Sequence, residues 1–172
     1  LGSGKVDLAM VSADTLLSAQ MAVVTPVYDE FVHVIVRHDS NVRRITDLNG
    51  KHIISGPPGS ADHAHAEVIF DHYGITPSPE STQWGETYEM PLLPEVEAAI
   101  EITSMSSPGL RQMLNSGDYR LLPVEDARAI AFDHNFYAVN EIPRGIYSGM
   151  RGIPPVPVEA LSSTARLAAL RN

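Results

Sequence analysis

The stretch that most constrains this chain runs Ile53-Ile54-Ser55-Gly56-Pro57-Pro58-Gly59-Ser60-Ala61-Asp62 and continues through His63 to Gly74. It reads as a short apolar strand, a Gly/Pro turn, and a helix of about three turns stopped by Gly74. A strand that feeds a helix through a glycine-bearing turn leaves free backbone N–H groups at the helix start. With the positive end of the helix dipole, these donors favour a small anion. Gly59 lets the backbone approach a ligand, and Ser60 adds a hydroxyl. The simpler alternative is that Ser60 or Asp62 caps the helix and nothing binds.

Charge narrows the function classes. The 172 residues carry a formal net charge of −9, and Arg43-Arg44 is the only basic cluster. A nucleic-acid partner calls for a basic face, so that class is disfavoured. There is no cysteine, which excludes disulfides, thiolate zinc sites and thiol catalysis. No apolar run approaches the roughly 18–20 residues of a membrane-spanning helix. The chain opens Leu1-Gly2-Ser3-Gly4, without Met, and this start reads as internal to a longer protein.

Taken in order, Lys5 to Val11 has the character of a buried parallel strand. Asp14 follows at its carboxyl end, the edge where open α/β sheets bind ligands, although capping the next helix is the plainer role. Thr15 to Met21 is expected to be a short helix. The β-branched run ending at Arg37 predicts a long strand, with Tyr28 near its beginning. Ala98 to Thr103 predicts another strand. Ser104-Met105-Ser106-Ser107-Pro108-Gly109 is a second polar turn, leading into a helix from Leu110 to Asn115. Tyr119 to Val124 reads as strand and Glu125 to His134 as helix. Ile153 to Val158 is extended, and Ala160 to Leu170 is helix-prone. The alternation predicts an α/β fold with a mostly parallel sheet flanked by helices. The two donor-rich turns then share one sheet edge and line a ligand cleft.

Other chemistries find little support. His63 and His65 are two apart and point about 200° apart on a helix, so they cannot share a metal. His63, His65 and His72 are expected to be solvated surface residues, with no metal or cofactor bound. Ser60 and Ser107 lack the Gly-x-Ser-x-Gly setting and a triad partner at a recognisable spacing. The opening turn lacks the Gly-Lys-Ser/Thr ending of a P-loop. Tyr28, Trp84 and Tyr147 are aromatics able to stack on a solute or to pack a lobe surface.

The order of several segments resembles a known family. Val6-Asp7-Leu8-Ala9-Met10-Val11 and Asp14 lead to Val27-Tyr28-Asp29-Glu30-Phe31-Val32-His33-Val34-Ile35-Val36. Ile45-Thr46-Asp47-Leu48-Asn49-Gly50-Lys51 then leads to Gly56-Pro57-Pro58-Gly59-Ser60, with Ser107-Pro108-Gly109 and Ile142-Pro143-Arg144-Gly145-Ile146-Tyr147-Ser148-Gly149 following. From Gly4 to about Leu161 the chain resembles the TAXI family of solute-binding receptors of TRAP transporters. The resemblance implies a type II periplasmic-binding-protein-like fold. Its two lobes close on a glutamate-like solute, another organic acid or an amino acid, and deliver it to membrane permease subunits. No chemical step is implied, and the implied location is periplasmic. Mapped onto the family, residues 1–24 are the end of the first lobe and 25–44 the crossover. Residues 45–150 make the second lobe and 151–172 return toward the first, so the chain corresponds to a middle portion. The implied ligand-binding residues are Asp14, Tyr28, Gly59, Ser60, Ala61, Asp62, Ser104, Ser107 and Tyr147. Ligand-sensing regulatory domains and small-molecule enzymes share this architecture and remain alternatives.

Departures from the family sharpen the ligand. Gly59-Ser60-Ala61-Asp62 stands where the family has Gly-Ser-Gly-Thr, Tyr28-Asp29-Glu30 where it has Tyr-Pro-Glu, and Ser12 where it has Gln. The Asp62 carboxylate repels an incoming anion by about 1 kcal/mol or more. It is expected either to meet a cationic group or to cap its own helix.

Overall fold

The computed structural model describes residues 6–78 and 96–171. Trp84, one of the aromatics singled out above, lies outside the described residues. Seven strands form one sheet: β1 (Leu8–Val11), β2 (Met21–Arg37), β3 (Ile53–Ile54), β4 (Ala98–Thr103), β5 (Tyr119–Leu122), β6 (Ala138–Ile142) and β7 (Val158–Leu170). Three α-helices accompany them: α1 (Ala61–Tyr73), α2 (Pro108–Ser116) and α3 (Ala127–Asp133).

The long strand β2 organises the sheet. From Phe31 to Val36 all six residues are buried, and alternation sends them to opposite faces. Val32, Val34 and Val36 join Ala98, Ile100 and Ile102 of β4 in a core completed by Ala66 and Ile69 of α1 and Ile130 of α3. Phe31 and Ile35 join Leu110, Met113 and Leu114 of α2 in a second core on the other face. Helices therefore flank the sheet on both sides, as in type II periplasmic-binding-protein-like domains.

The mostly parallel sheet is a correction. Among the described residues only β3 pairs parallel, with β4; β2 runs antiparallel to β4, β5 and β7, and β7 antiparallel to β1 and β6. A strand buried on both faces gives the same apolar run in either direction, so periodicity carries no orientation. The one parallel pair is the unit that opened the sequence reading: β3, the Gly/Pro turn, α1 and then β4. Two helices are also corrected. Residues 15–20 are irregular with a turn at 19–20 rather than a helix, and Ala160 to Leu170 lies within β7. The Ala and Leu content there favours helix, but β7 hydrogen-bonds to β2, β6 and β1, and these ladders override a propensity of a few tenths of a kcal/mol per residue. β1, expected to be buried, is an outer strand with Leu8 and Met10 half exposed.

Candidate functional site

The Gly/Pro turn is built by close packing. Gly59 has φ +87°, where residues with a side chain are strained, and the space beside its Cα is open. Gly56 is the residue that permits close approach. A Cβ on it would collide with Ser60 Oγ and come within 2.8 Å of Asp62 Cβ. Ser60 caps α1, its hydroxyl accepting from the His63 N–H at 3.2 Å, and Gly74 (φ 63°) closes the helix. Ala61 and Asp62 present helix-start N–H groups with no acceptor among the described residues.

Asp62 ties this turn to the neighbouring one. Its Oδ1 accepts the Ile102 N–H at 2.7 Å, at the carboxyl end of β4 and just before Ser104. In the second turn the Ser107 N–H donates to the Ser104 carbonyl, the Ser104 and Ser106 hydroxyls lie 2.8 Å apart, and Ser107 Oγ accepts from Leu110 N–H to cap α2. The two polar turns thus stand side by side at one sheet edge.

Three carboxylates meet at that edge. Asp14 arrives from the turn after β1, Glu30 from β2 where it enters the packed core, and Asp62 from the first turn of α1. Burial, reinforced by the charges of Asp62 and then Asp14, raises the Glu30 pKa above its ordinary value. Burial also raises the Asp62 pKa, against the Ile102 hydrogen bond that lowers it. Asp14 Oδ1 and Glu30 Oε2 are both buried, and neither accepts a hydrogen bond from a described group.

Behind the carboxylates sits His65, which is 1% exposed, so its expected surface position is corrected. Its Nε2 lies 3.2 Å from Ser12 Oγ and 3.9 Å from Asp14 Oδ1, while Nδ1 bonds the Tyr137 hydroxyl. Burial holds the imidazole down to about 4, opposed by the Asp14 charge, so the ring is neutral at pH 7. Burial likewise pushes the Tyr137 hydroxyl above its ordinary range, so it stays protonated. His65 thereby ties α1 to the segment after β1 and to the segment between α3 and β6.

The remaining sequence candidates scatter. Tyr147 is 2% exposed inside the α2-side core, and its hydroxyl lies 2.6 Å from His33 Nε2; it is a core residue, not a cleft wall. Tyr28 is 46% exposed on β2 opposite Ala165 of β7. His63 and His72 face Glu67 (3.4 Å) and Asp126 (3.6 Å) rather than each other. Among the described residues, no three His, Cys, Asp or Glu side chains are grouped closely enough to hold a metal ion. Sequence reading passed over Glu30, His65 and Tyr137 as site residues. The signal for His65 was its position one turn before Ile69 on the apolar face of α1.

Among solved structures, the chain is similar to an ancestral arginine-binding protein bound to arginine, at 13% identity and TM-score 0.53, covering 99% of this chain and 60% of that one. It is similar to the arginine-, lysine-, histidine-binding protein ArtJ from Geobacillus stearothermophilus, at 15% identity and TM-score 0.53, covering 99% and 59%. It is equally similar to HinK, a LysR family transcriptional regulator from Pseudomonas aeruginosa, at 12% identity and TM-score 0.53, covering 99% and 48%. The chain spans about 60% of the length of these binding proteins, and at such identities the likeness establishes the fold alone. The sequence itself matches the NMT1-like family over residues 3–166, and the chain belongs to that family.

Proposed function

We propose that this chain is part of an extracytoplasmic solute-binding subunit of a transporter, and that its solute carries a cationic group, as a basic amino acid does. The carrying observation is the trio Asp14, Glu30 and Asp62, with buried oxygens on Asp14 and Glu30 that accept no hydrogen bond from a described residue. An ammonium or guanidinium supplies the missing donors and relieves the mutual repulsion. The Ala61 and Asp62 amides and the Ser60 turn offer the complementary donors for an α-carboxylate. This reading replaces a dicarboxylate with an amino acid, because a second acidic group would meet three carboxylates. Closure of two lobes around the solute supplies the transport signal, and no bond is made or broken. Delivery to the permease of a TRAP-type transporter is the finer assignment, and it follows from the order of segments shared with TAXI receptors. The likeness to HinK supports a second reading, a ligand-sensing regulatory domain with the same solute site.

Thermal unfolding with a panel of L-arginine, L-lysine, L-glutamate and succinate at equal concentration tests the proposal. Arginine or lysine is expected to raise the midpoint most. A larger rise with glutamate or succinate contradicts it.

A further inference from the structure

A cavity of about 580 Å³ opens between β5, the C-terminal end of α2 and the segment 151–158. None of its lining residues belongs to the Asp14–Glu30–Asp62 edge. Its walls are largely apolar, with Leu114, Leu121 and Val156 among them. Its polar margin carries the Arg151 guanidinium, beside Gly117, and none of its fifteen lining residues is acidic. In a chain with 21 acidic and 12 basic residues, this makes the cavity the reverse of its surroundings.

The two arginines along the cavity point differently: Arg120 leaves β5 on the face opposite Leu121, while Arg151 stands beside Gly117 at the cavity margin. One terminal nitrogen of Arg120 donates to the carbonyls of Ser40 and Val42, and one of Arg151 to the Asn115 carbonyl in the last turn of α2. Neither arginine makes an ion pair with a described carboxylate. Arg151 keeps further N–H donors in a planar fork suited to a carboxylate. Gly117 leaves room for this arrangement. A Cβ there would sit 3.1 Å from the second terminal nitrogen of Arg151, at a backbone φ of +90° that disfavours any side chain.

We infer that this cavity binds a small amphipathic monocarboxylate, its apolar body against Leu114, Leu121 and Val156 and its carboxylate on the Arg151 guanidinium. Apolar walls with a few convergent polar groups are the usual make-up of a small-molecule site, and the volume falls within the range of such sites. The charge decides the headgroup. An acid meets a guanidinium preorganised by a backbone carbonyl, whereas a neutral alcohol gains only the apolar contact. The inference stands apart from the solute site, since the two share no residue.

Methyl NMR with octanoate as the probe tests it, with 1-octanol as the neutral control. Octanoate is expected to give saturating shifts at the Leu114, Leu121 and Val156 methyls, with at least tenfold weaker binding for octanol. Arg151→Gln is expected to weaken octanoate about tenfold. Val156→Trp, at a position 61% exposed, fills the cavity without touching either arginine and is expected to abolish binding while leaving the fold intact. Equal affinities for octanoate and octanol, shifts centred on Leu8 and Val24 instead, or binding unchanged in Val156→Trp overturns the inference. So does the absence of saturation.

Discussion

The two halves of β2 are both paired within the sheet and have opposite surroundings. From Phe31 to Val36 the strand lies between two helical layers and is fully buried. From Val23 to Asp29 it is exposed, paired with β7, which in turn pairs with β1. Leu8, Met10, Val24 and Val27 on this outer ribbon are each about half exposed, although their residue types match those of the core. Hydrogen-bonded pairing alone therefore builds the outer ribbon, while helix packing builds the core. The carboxylates stand at the junction, with Glu30 at the step between the two regimes.

The largest contrast expected is in stability. Ile35→Ala and Ile100→Ala, at positions 0% exposed, should each cost about 3 kcal/mol in urea unfolding, and Leu8→Ala or Val24→Ala less than about 0.5 kcal/mol. Equal losses would mean the ribbon is packed in solution. Next comes acid sensitivity. His33 is held by burial at about 4, below its unfolded value of about 6.5. Between those values the unfolded chain binds more protons, so stability is full above pH 6.5 and falls as pH drops toward 4. His65 adds a contribution of the same sign. Together they should remove a few kcal/mol, and His33→Gln or His65→Gln should flatten the stability–pH curve over that window. Ribbon substitutions should leave its slope unchanged.

Smaller effects separate the turn from both regions. Gly56→Ala displaces Ser60 and Asp62 and should cost about 1–2 kcal/mol. Ser60→Ala removes only the cap and should cost about 1 kcal/mol. Glu30→Gln should raise the unfolding midpoint at neutral pH, because the raised Glu30 pKa marks a carboxylate whose charge opposes folding, while weakening binding of a cationic solute. A lowered midpoint would show that the charge is already compensated.

Much of the packed half was legible because its signals are local. Ser60 as a cap, Gly74 as a stop, and the β-branched run of β2 each carry their own chemistry. Strand direction and the fate of Ala160 to Leu170 were not, since pairing partners far along the chain decide them. The site was half legible. Asp14 declared itself beside a predicted strand end, and Asp62 at the start of a predicted helix. Glu30 did not, because its importance comes from where β2 crosses the end of β4. Tyr147 and Tyr28 show the limit for aromatics: one is core and the other exposed, and residue type alone separates neither.

The most direct measurement is calorimetric titration of L-arginine and L-glutamate into the protein and its Asp14→Asn variant at pH 7. Arginine should bind the unaltered protein more tightly than glutamate, and Asp14→Asn should weaken arginine at least tenfold while moving glutamate little. Preferential glutamate binding, or an arginine affinity indifferent to Asp14, would contradict a cation held by the three carboxylates.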